Sequence, residues 1–164
     1  MPQPILTNPY ITTIAPKKLI GQYLQMSIAQ NTTSQLWQTF MPLRKQINNA
    51  INADLICMQI YTDFETFTPD TTFEKWAAVE VNSFDNVPEG IHTFTLPGGQ
   101  YAVFKYKGRA RDFAPAFNYI FFTWLPQSAY ELDSRPHFEV LGHLYKNDDP
   151  ASEEDIWIPV KKRD

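Results

Sequence analysis

The chain has 164 residues, 43% hydrophobic and 20% charged, a composition that fits one soluble globular unit with a sizeable core. Its net charge of −4, with the only basic cluster at Lys161-Lys162-Arg163, excludes the basic face by which a protein displaces counterions from phosphate, so no direct nucleic-acid partner is expected. One cysteine, Cys57, excludes an internal disulfide, the Met1-Pro2-Gln3-Pro4 start lacks a leader pattern, and no apolar run approaches the ~18 residues of a membrane span, so a cytoplasmic chain without membrane contact is predicted.

In chain order, the pattern begins with a short strand near 10–15. Residues 19–28 alternate, with Ile20, Leu24, Met26 and Ile28 on one face and Tyr23, Gln25 and Ser27 on the other, which predicts a longer strand. Asn31-Thr32-Thr33-Ser34 supplies capping side chains. Leu36, Phe40, Leu43 and Ile47 follow at helical spacing, predicting a helix over about 34–49 that Pro42 kinks or interrupts. Ile56, Met58 and Ile60 then alternate with Cys57, Gln59 and Tyr61, and Phe73, Ala77, Val79 and Val81 with Glu74, Trp76 and Glu80, giving two more strands. The Pro- and Asp-rich stretch 63–72 between them reads as loop. A second series follows: a strand at 91–96, a strand at 100–107, a helix over about 112–125, and strands at 137–145 and 155–161.

The two series correspond in motif as well as in order. Gly21-Gln22-Tyr23 is answered by Gly99-Gln100-Tyr101, Trp37-x-x-Phe40-Met41-Pro42 by Phe121-x-x-Trp124-Leu125-Pro126, and Trp76-Ala77-Ala78-Val79 by Trp157-Ile158-Pro159-Val160, at near-constant offset. The chain therefore reads as a single domain, 1–164, made of two β-α-β-β repeats at about 9–82 and 91–162, each with a lead-in strand. The expected fold is α+β: an antiparallel sheet with two helices on one face and a ligand cleft on the other.

Alternation also sorts the side chains. Ile20, Leu24, Met26, Ile28, Ile56, Met58, Ile60, Ile156, Ile158 and Val160 fall to the helix-covered face; Tyr23, Tyr61, Trp76, Tyr101, Trp157 and Glu139 fall to the other. Aromatic residues make up 15% of the chain, and rings on a bare sheet face invite association unless something covers them. They could line a ligand cleft, pack on one another as a second small core, or form an oligomer interface. In the first case Glu139 places a carboxylate on the floor of an aromatic cleft, suited to a flat cationic ligand. A glutamate on a wet strand face is the plain alternative. Asp155 shares the face of Trp157 and is a weaker second acid, or belongs to the solvated run Glu153-Glu154-Asp155.

The segment Leu96-Pro97-Gly98-Gly99-Gln100-Tyr101-Ala102-Val103-Phe104-Lys105-Tyr106-Lys107-Gly108 resembles the LPAGxYAVFxYxG signature of GyrI-like, AraC-type effector-binding domains. Trp124-Leu125-Pro126-Gln127-Ser128, Tyr130-Glu131-Leu132, Arg135-Pro136-His137-Phe138-Glu139 and Ile156-Trp157-Ile158-Pro159-Val160-Lys161 fit the same family in order, covering nearly the whole chain. The resemblance implies two β-α-β-β repeats, a small amphipathic ligand, a ligand-facing glutamate at Glu139 and an aromatic cleft residue at Trp157. In the family's transcriptional regulators a DNA-binding module is attached; the first repeat here begins so early that none is expected, and a separate regulator or gyrase becomes the implied macromolecular partner.

Catalytic readings find less support. His92, His137 and His143 show no metal-ligand spacing with Cys57, although a Glu139/His143 acid–base pair is conceivable if both face one way. Cys57 reads as a buried structural thiol, and Leu96-Pro97-Gly98-Gly99-Gln100 as a turn between strands and not a phosphate loop. The leading expectation is a cofactor-free, non-enzymatic binder of small hydrophobic molecules, cationic ones included, monomeric or weakly dimeric. The alternatives are a hydrolase using Glu139 as general base and a protein-interaction module of gyrase-inhibitor type.

Overall fold

The computed structural model describes residues 3–164; the Met1-Pro2 start read above for the absence of a leader lies outside the described residues. Ten strands alternate with two helical segments, in the order β1 (Ile5–Leu6), β2 (Tyr10–Ile14), β3 (Lys17–Met26), α1 (Thr33–Arg44), β4 (Leu55–Ile60), β5 (Phe73–Val81), β6 (His92–Leu96) and β7 (Gly99–Lys107). A second helical segment follows, assembled from a 3-10 turn (Ala110–Asp112), α2 (Ala114–Asn118), a π-helical stretch (Tyr119–Trp124) and α3 (Leu125–Gln127). The chain ends in β8 (Tyr130–Leu132), β9 (His137–Leu141) and β10 (Glu153–Lys162). No helix among the described residues is long and apolar enough to cross a membrane.

All strands join one antiparallel sheet in the order β1-β7-β10-β9-β4-β5-β3-β6, with β2 also on β7 and β8 on β10. The first half (β3-α1-β4-β5) appears in the sheet as β4-β5-β3, and the second (β7-helix-β9-β10) as β9-β10-β7, so the two run in the same internal order. They meet along the β4–β9 ladder, from Leu55 opposite Leu141 to Gln59 opposite His137. The α+β architecture with duplicated β-α-β-β units is as the sequence predicts. The lead-in strands are exchanged: β2 precedes β3 but pairs with β7, and β6 precedes β7 but pairs with β3.

That exchange bends the sheet. Strands β6 and β7 lie toward opposite ends of the strand order, yet only Pro97-Gly98 separates them, so the helix-free face must curl inward on itself. Leu19 and Leu96 from one end meet Tyr101 and Val103 from the other, with Met58, Trp76 and Phe138 between them, as one buried cluster. The helix-bearing face carries two further cores, one under α1 (Ile20, Phe40, Ala77, Val79) and one under the second helical segment (Phe104, Ile120, Ile156, Ile158). The curl demands close approach at Gly21, where an added Cβ would fall onto the Ala77 carbonyl oxygen and 2.7 Å from Ala78 Cα. Gly21→Ala is therefore expected to destabilise the fold by about 1–3 kcal/mol, as overpacking against backbone does, measured by chemical denaturation.

Both helices differ from expectation in extent. α1 passes through Pro42 and stops two residues later at Arg44, short of position 49. Pro42 withholds an N–H from the ladder, and the chain leaves through tight turns from Gln46 to the Leu43 carbonyl and Ile47 to that of Arg44. The second segment is broken, with Pro115 in its first turn and Pro126 in its last, and the aromatic run Tyr119–Trp124 widens into π geometry.

Candidate functional site

Both helical segments sit on one face of the sheet, one over each half, and leave the seam between β4 and β9 uncovered. By register Ala77, Cys57, Glu139 and Ile156 stand side by side across four strands on this face. Lys75, Gln59 and His137 form the next row. Above them lies a cavity of about 710 Å³, walled by Trp37 and Thr33 of α1 on one side and by Phe113 and Phe117 on the other, with Cys57, Lys75, Glu139 and Glu154 on its floor. A smaller cavity of about 180 Å³ adjoins it, reaching Gln59, Tyr61, His137 and Phe121. These volumes fall within or just below the range of small-molecule sites, and rings with a few converging polar groups are the usual lining of such sites.

The floor holds two carboxylates and one ammonium. Gln59 Nε2 donates to Glu139 Oε1 (3.3 Å) and to Cys57 Sγ (3.5 Å). Lys75 Nζ is held at 2.9 Å by Thr33 Oγ1 at the start of α1. Among the described residues neither Glu139 nor Glu154 forms an ion pair. Desolvation pushes the Glu139 carboxyl above its ordinary range, against the pull of Lys75 and the Gln59 hydrogen bond. Burial first, then the charge of Glu139, pushes Glu154 up to about 8. Burial raises the Cys57 thiol to about 12, so it stays protonated, and lowers His137 to about 3, so the imidazole stays neutral within a ring cage of Tyr61 (4.8 Å), Phe64 (5.2 Å) and Phe121 (5.9 Å).

The cleft was expected on the face the helices leave bare, and the structure corrects this: the cavities open on the helix-bearing face, between the helices. Glu139 and Tyr61 are there. Tyr23, Trp76, Tyr101 and Trp157 are on the other face, as their alternation predicts; the inward curl buries Trp76 and Tyr101 in core, with Trp157 partly buried against them and Tyr23 exposed at the edge. Trp76 stacks on Tyr23 (4.9 Å), Trp157 stacks on Phe138 (5.1 Å) and Tyr101 meets both Phe138 and Trp157 edge-on. The Tyr101 hydroxyl donates to the Pro136 carbonyl (2.9 Å), and the Arg135 guanidinium covers its ring. Trp157 also borders the smaller cavity. Asp155 points away from the cleft and pairs with Lys105 (3.7 Å).

The histidines stand apart: His92 packs on Tyr23 (4.9 Å), His137 fills the ring cage, and His143 lies beyond the end of β9, at Leu141, lining a separate depression. That separation removes the Glu139/His143 pair. Lys75, Gln59, Glu154, Trp37, Phe113 and Phe117 were not singled out from sequence. A signal existed for two of them: Lys75 shares its strand parity with Phe73 and Ala77, and Glu154 shares its own with Ile156 and Ile158, so each is a charge on an otherwise apolar, helix-facing set.

With this geometry in view, comparison with known proteins places the chain. The family model described as the GyrI-like small molecule binding domain matches residues 7–161. The transcriptional regulator BrlR of Pseudomonas aeruginosa is 30% identical over 146 residues, 87% of this chain; the chain spans about half (51%) of the length of that relative. Among solved structures, the C-terminal domain of EcmrR superposes with a TM-score of 0.71 at 16% identity, covering 94% of this chain and 98% of that one. SAV2435, solved bound to tetraphenylphosphonium, superposes with a TM-score of 0.67 at 18% identity, covering 94% of each chain.

Proposed function

We propose that this chain, which belongs to the GyrI-like small molecule binding domain family, binds a hydrophobic cation in the cleft between its two helices. The observation that carries the reading is the floor: two carboxylates without ion-pair partners beneath facing aromatic walls, with a single ammonium tied to Thr33. Rings supply apolar area and cation–π attraction, and a carboxylate in a poorly solvated cleft gains most when a cation replaces its lost water. The fold neighbour solved with a bulky organic cation supports the same reading. Glu139 is the countercharge, oriented by Gln59. Tyr61 forms part of the wall, whereas Tyr23, Trp76, Tyr101 and Trp157 hold the sheet beneath. The reading requires no cofactor, and a cytoplasmic setting suits its free thiol.

Trp37 is the reporter for the test, because it lines the cavity while Trp76 and Trp124 are packed against other rings away from it. Titration with tetraphenylphosphonium is expected to quench Trp37, and Trp37→Phe to remove most of the signal, leaving the part contributed by Trp157 at the border of the smaller cavity, while calorimetry still detects binding. Glu139→Gln should weaken binding by about 10- to 100-fold, the loss of a buried charged partner. Absence of binding in the wild type, or equal affinity in Glu139→Gln, would overturn the reading. Turnover of a bound ester that disappears in Glu139→Gln would move the assignment to a hydrolase.

A further inference from the structure

The open edges of the sheet are unequal. β1 offers two residues, and β8 three with Glu131 in the middle. β6 holds no lysine, arginine or carboxylate, but it exposes only His92, Thr93 and Thr95 and no large hydrophobic side chain. β2 is different. Its five residues, Tyr10-Ile11-Thr12-Thr13-Ile14, are all aromatic or β-branched, the types that strands favour. They pair with β7 along one edge, and among the described residues they make no other backbone hydrogen bond. Tyr10 is 59% exposed.

Natural sheets protect such an edge with a lysine, an inward charge, a bulge or a proline inside the strand. β2 has none of these. No charged side chain occurs from Gln3 to Pro16, and the ladder with β7 runs unbroken from Tyr10 opposite Val103 to Ile14 opposite Gly99. In a chain of net charge −4, two copies can approach along this edge without like charges meeting. The edge is also self-complementary about a twofold axis. When two copies of β2 run antiparallel with Thr12 opposite Thr12, Ile11 falls opposite Thr13 and Tyr10 opposite Ile14, each twice. Every pair is then β-branched against β-branched or aromatic against β-branched, combinations that stabilise cross-strand neighbours. A shift of two residues either way shortens the ladder or brings Pro9 or Pro16 into it, and neither has an N–H to donate.

We propose that β2 is a self-association edge, at which two copies of this chain join β2 to β2 about a twofold axis through Thr12, making one sheet continuous through β7-β2-β2-β7. The pairing does not depend on the cation reading, because β7 and β10 separate β2 from β9 and the β4–β9 seam. It gives the outward main-chain groups of β2 their partners and covers Tyr10 with Ile14 of the other copy. A five-residue ladder buries less than the roughly 1,200 Å² of a standard stable interface, so the dimer is weak, with a dissociation constant on the order of 0.1 mM.

The test is sedimentation velocity of the full chain from about 10 μM to about 1 mM, a range that brackets this constant. The wild type is expected to pass from monomer toward dimer. Thr12→Lys and Thr12→Glu, which set like charges directly opposite each other at the axis, should each stay monomeric. An equimolar mixture of the two should recover association, because lysine then faces glutamate. Thr93→Lys on β6 should behave as the wild type. Melting temperatures at the lowest concentration check that each variant is folded. A wild type still monomeric at the highest concentration overturns the proposal, and so does a dimer that survives Thr12→Lys or a mixture of folded variants that does not associate. If the variants prove unfolded, hydrogen exchange on the wild type decides: the outward amides of Tyr10–Ile14 should gain protection as concentration rises, and protection gained at β6 instead overturns the assignment.

Discussion

Trp76→Ala is expected to destabilise the protein by about 3–5 kcal/mol, lowering its melting temperature by roughly 6–20 °C, without changing cation affinity by more than about twofold. Trp76 belongs to a residue set that on sequence alone could equally have been a ligand wall. In the structure it is 4% exposed, stacked on Tyr23, tilted against Phe94, and fixed at its indole N–H by Glu74 Oε1 at 2.6 Å. Truncation removes a large buried ring from the inside of the curled sheet, where neighbours from β3, β4 and β6 are all held by ladders and cannot close the gap. The proposed cation cleft is on the other side of the same strands, facing Lys75 and Ala77. Thermal melting and tetraphenylphosphonium titration on one sample separate the two roles. A variant that keeps its melting temperature and loses cation binding would return Trp76 to the cleft.

The same side chains show what can be read from sequence and what cannot. Period-2 alternation places Tyr23, Trp76, Tyr101 and Trp157 correctly on the helix-free face, because each of their strands sets obviously apolar residues against them. It misplaces β4. Ile56, Met58 and Ile60 fall to the helix side as the more apolar set, yet Ile56 pairs with Ala78, Met58 with Trp76 and Phe138, and Ile60 with Glu74 on the curled face, and Cys57, Gln59 and Tyr61 face the helices. The strand is buried on both sides, so hydrophobicity cannot choose its phase. Glu139 inherits the same ambiguity, since only its registers with Cys57 and Ile156 fix which face it takes. Those registers are long-range pairings, one of them joining the two halves across the β4–β9 seam, that no local pattern encodes. The duplication itself was legible because it is written as repeated motifs, whereas the curl depends on two-residue links whose significance appears only once β6 and β7 are known to lie far apart in the sheet.

Cation binding is expected to strengthen as pH rises from about 5 to 8, by up to tenfold per unit where one proton is released, and to level off above that. The sign follows from the cleft floor. Glu154 on β10 and Glu139 on β9 face the same cavity, and Lys75 on β5 is the ammonium that stands against them; Arg111, Tyr145 and the protonated Cys57 also border that cavity, and Asp54, Lys105, His143, Glu153 and Asp155 line the depression that Glu154 borders on its other side. Two carboxylates beside one ammonium in a poorly solvated cleft do not both ionise readily, so the pair retains a proton, and Glu154 is lifted to about 8 by burial and by Glu139. An entering cation supplies the missing positive charge and draws the pair's proton affinity back toward the ordinary carboxylate range. The complex then binds fewer protons than the free protein between those limits, and mass action makes affinity rise with pH across that window. His137 adds no competing proton there, because burial keeps it neutral down to about 3. Tetraphenylphosphonium is the suitable probe because its own charge does not titrate. Calorimetry in two buffers of different ionisation enthalpy should show proton release near pH 7, and Glu154→Gln should abolish both the release and the pH slope while retaining binding through Glu139. An affinity that stays flat between pH 6 and 8, with no buffer-dependent heat, would mean that the two carboxylates are already ionised in the empty cleft and that water reaches its floor.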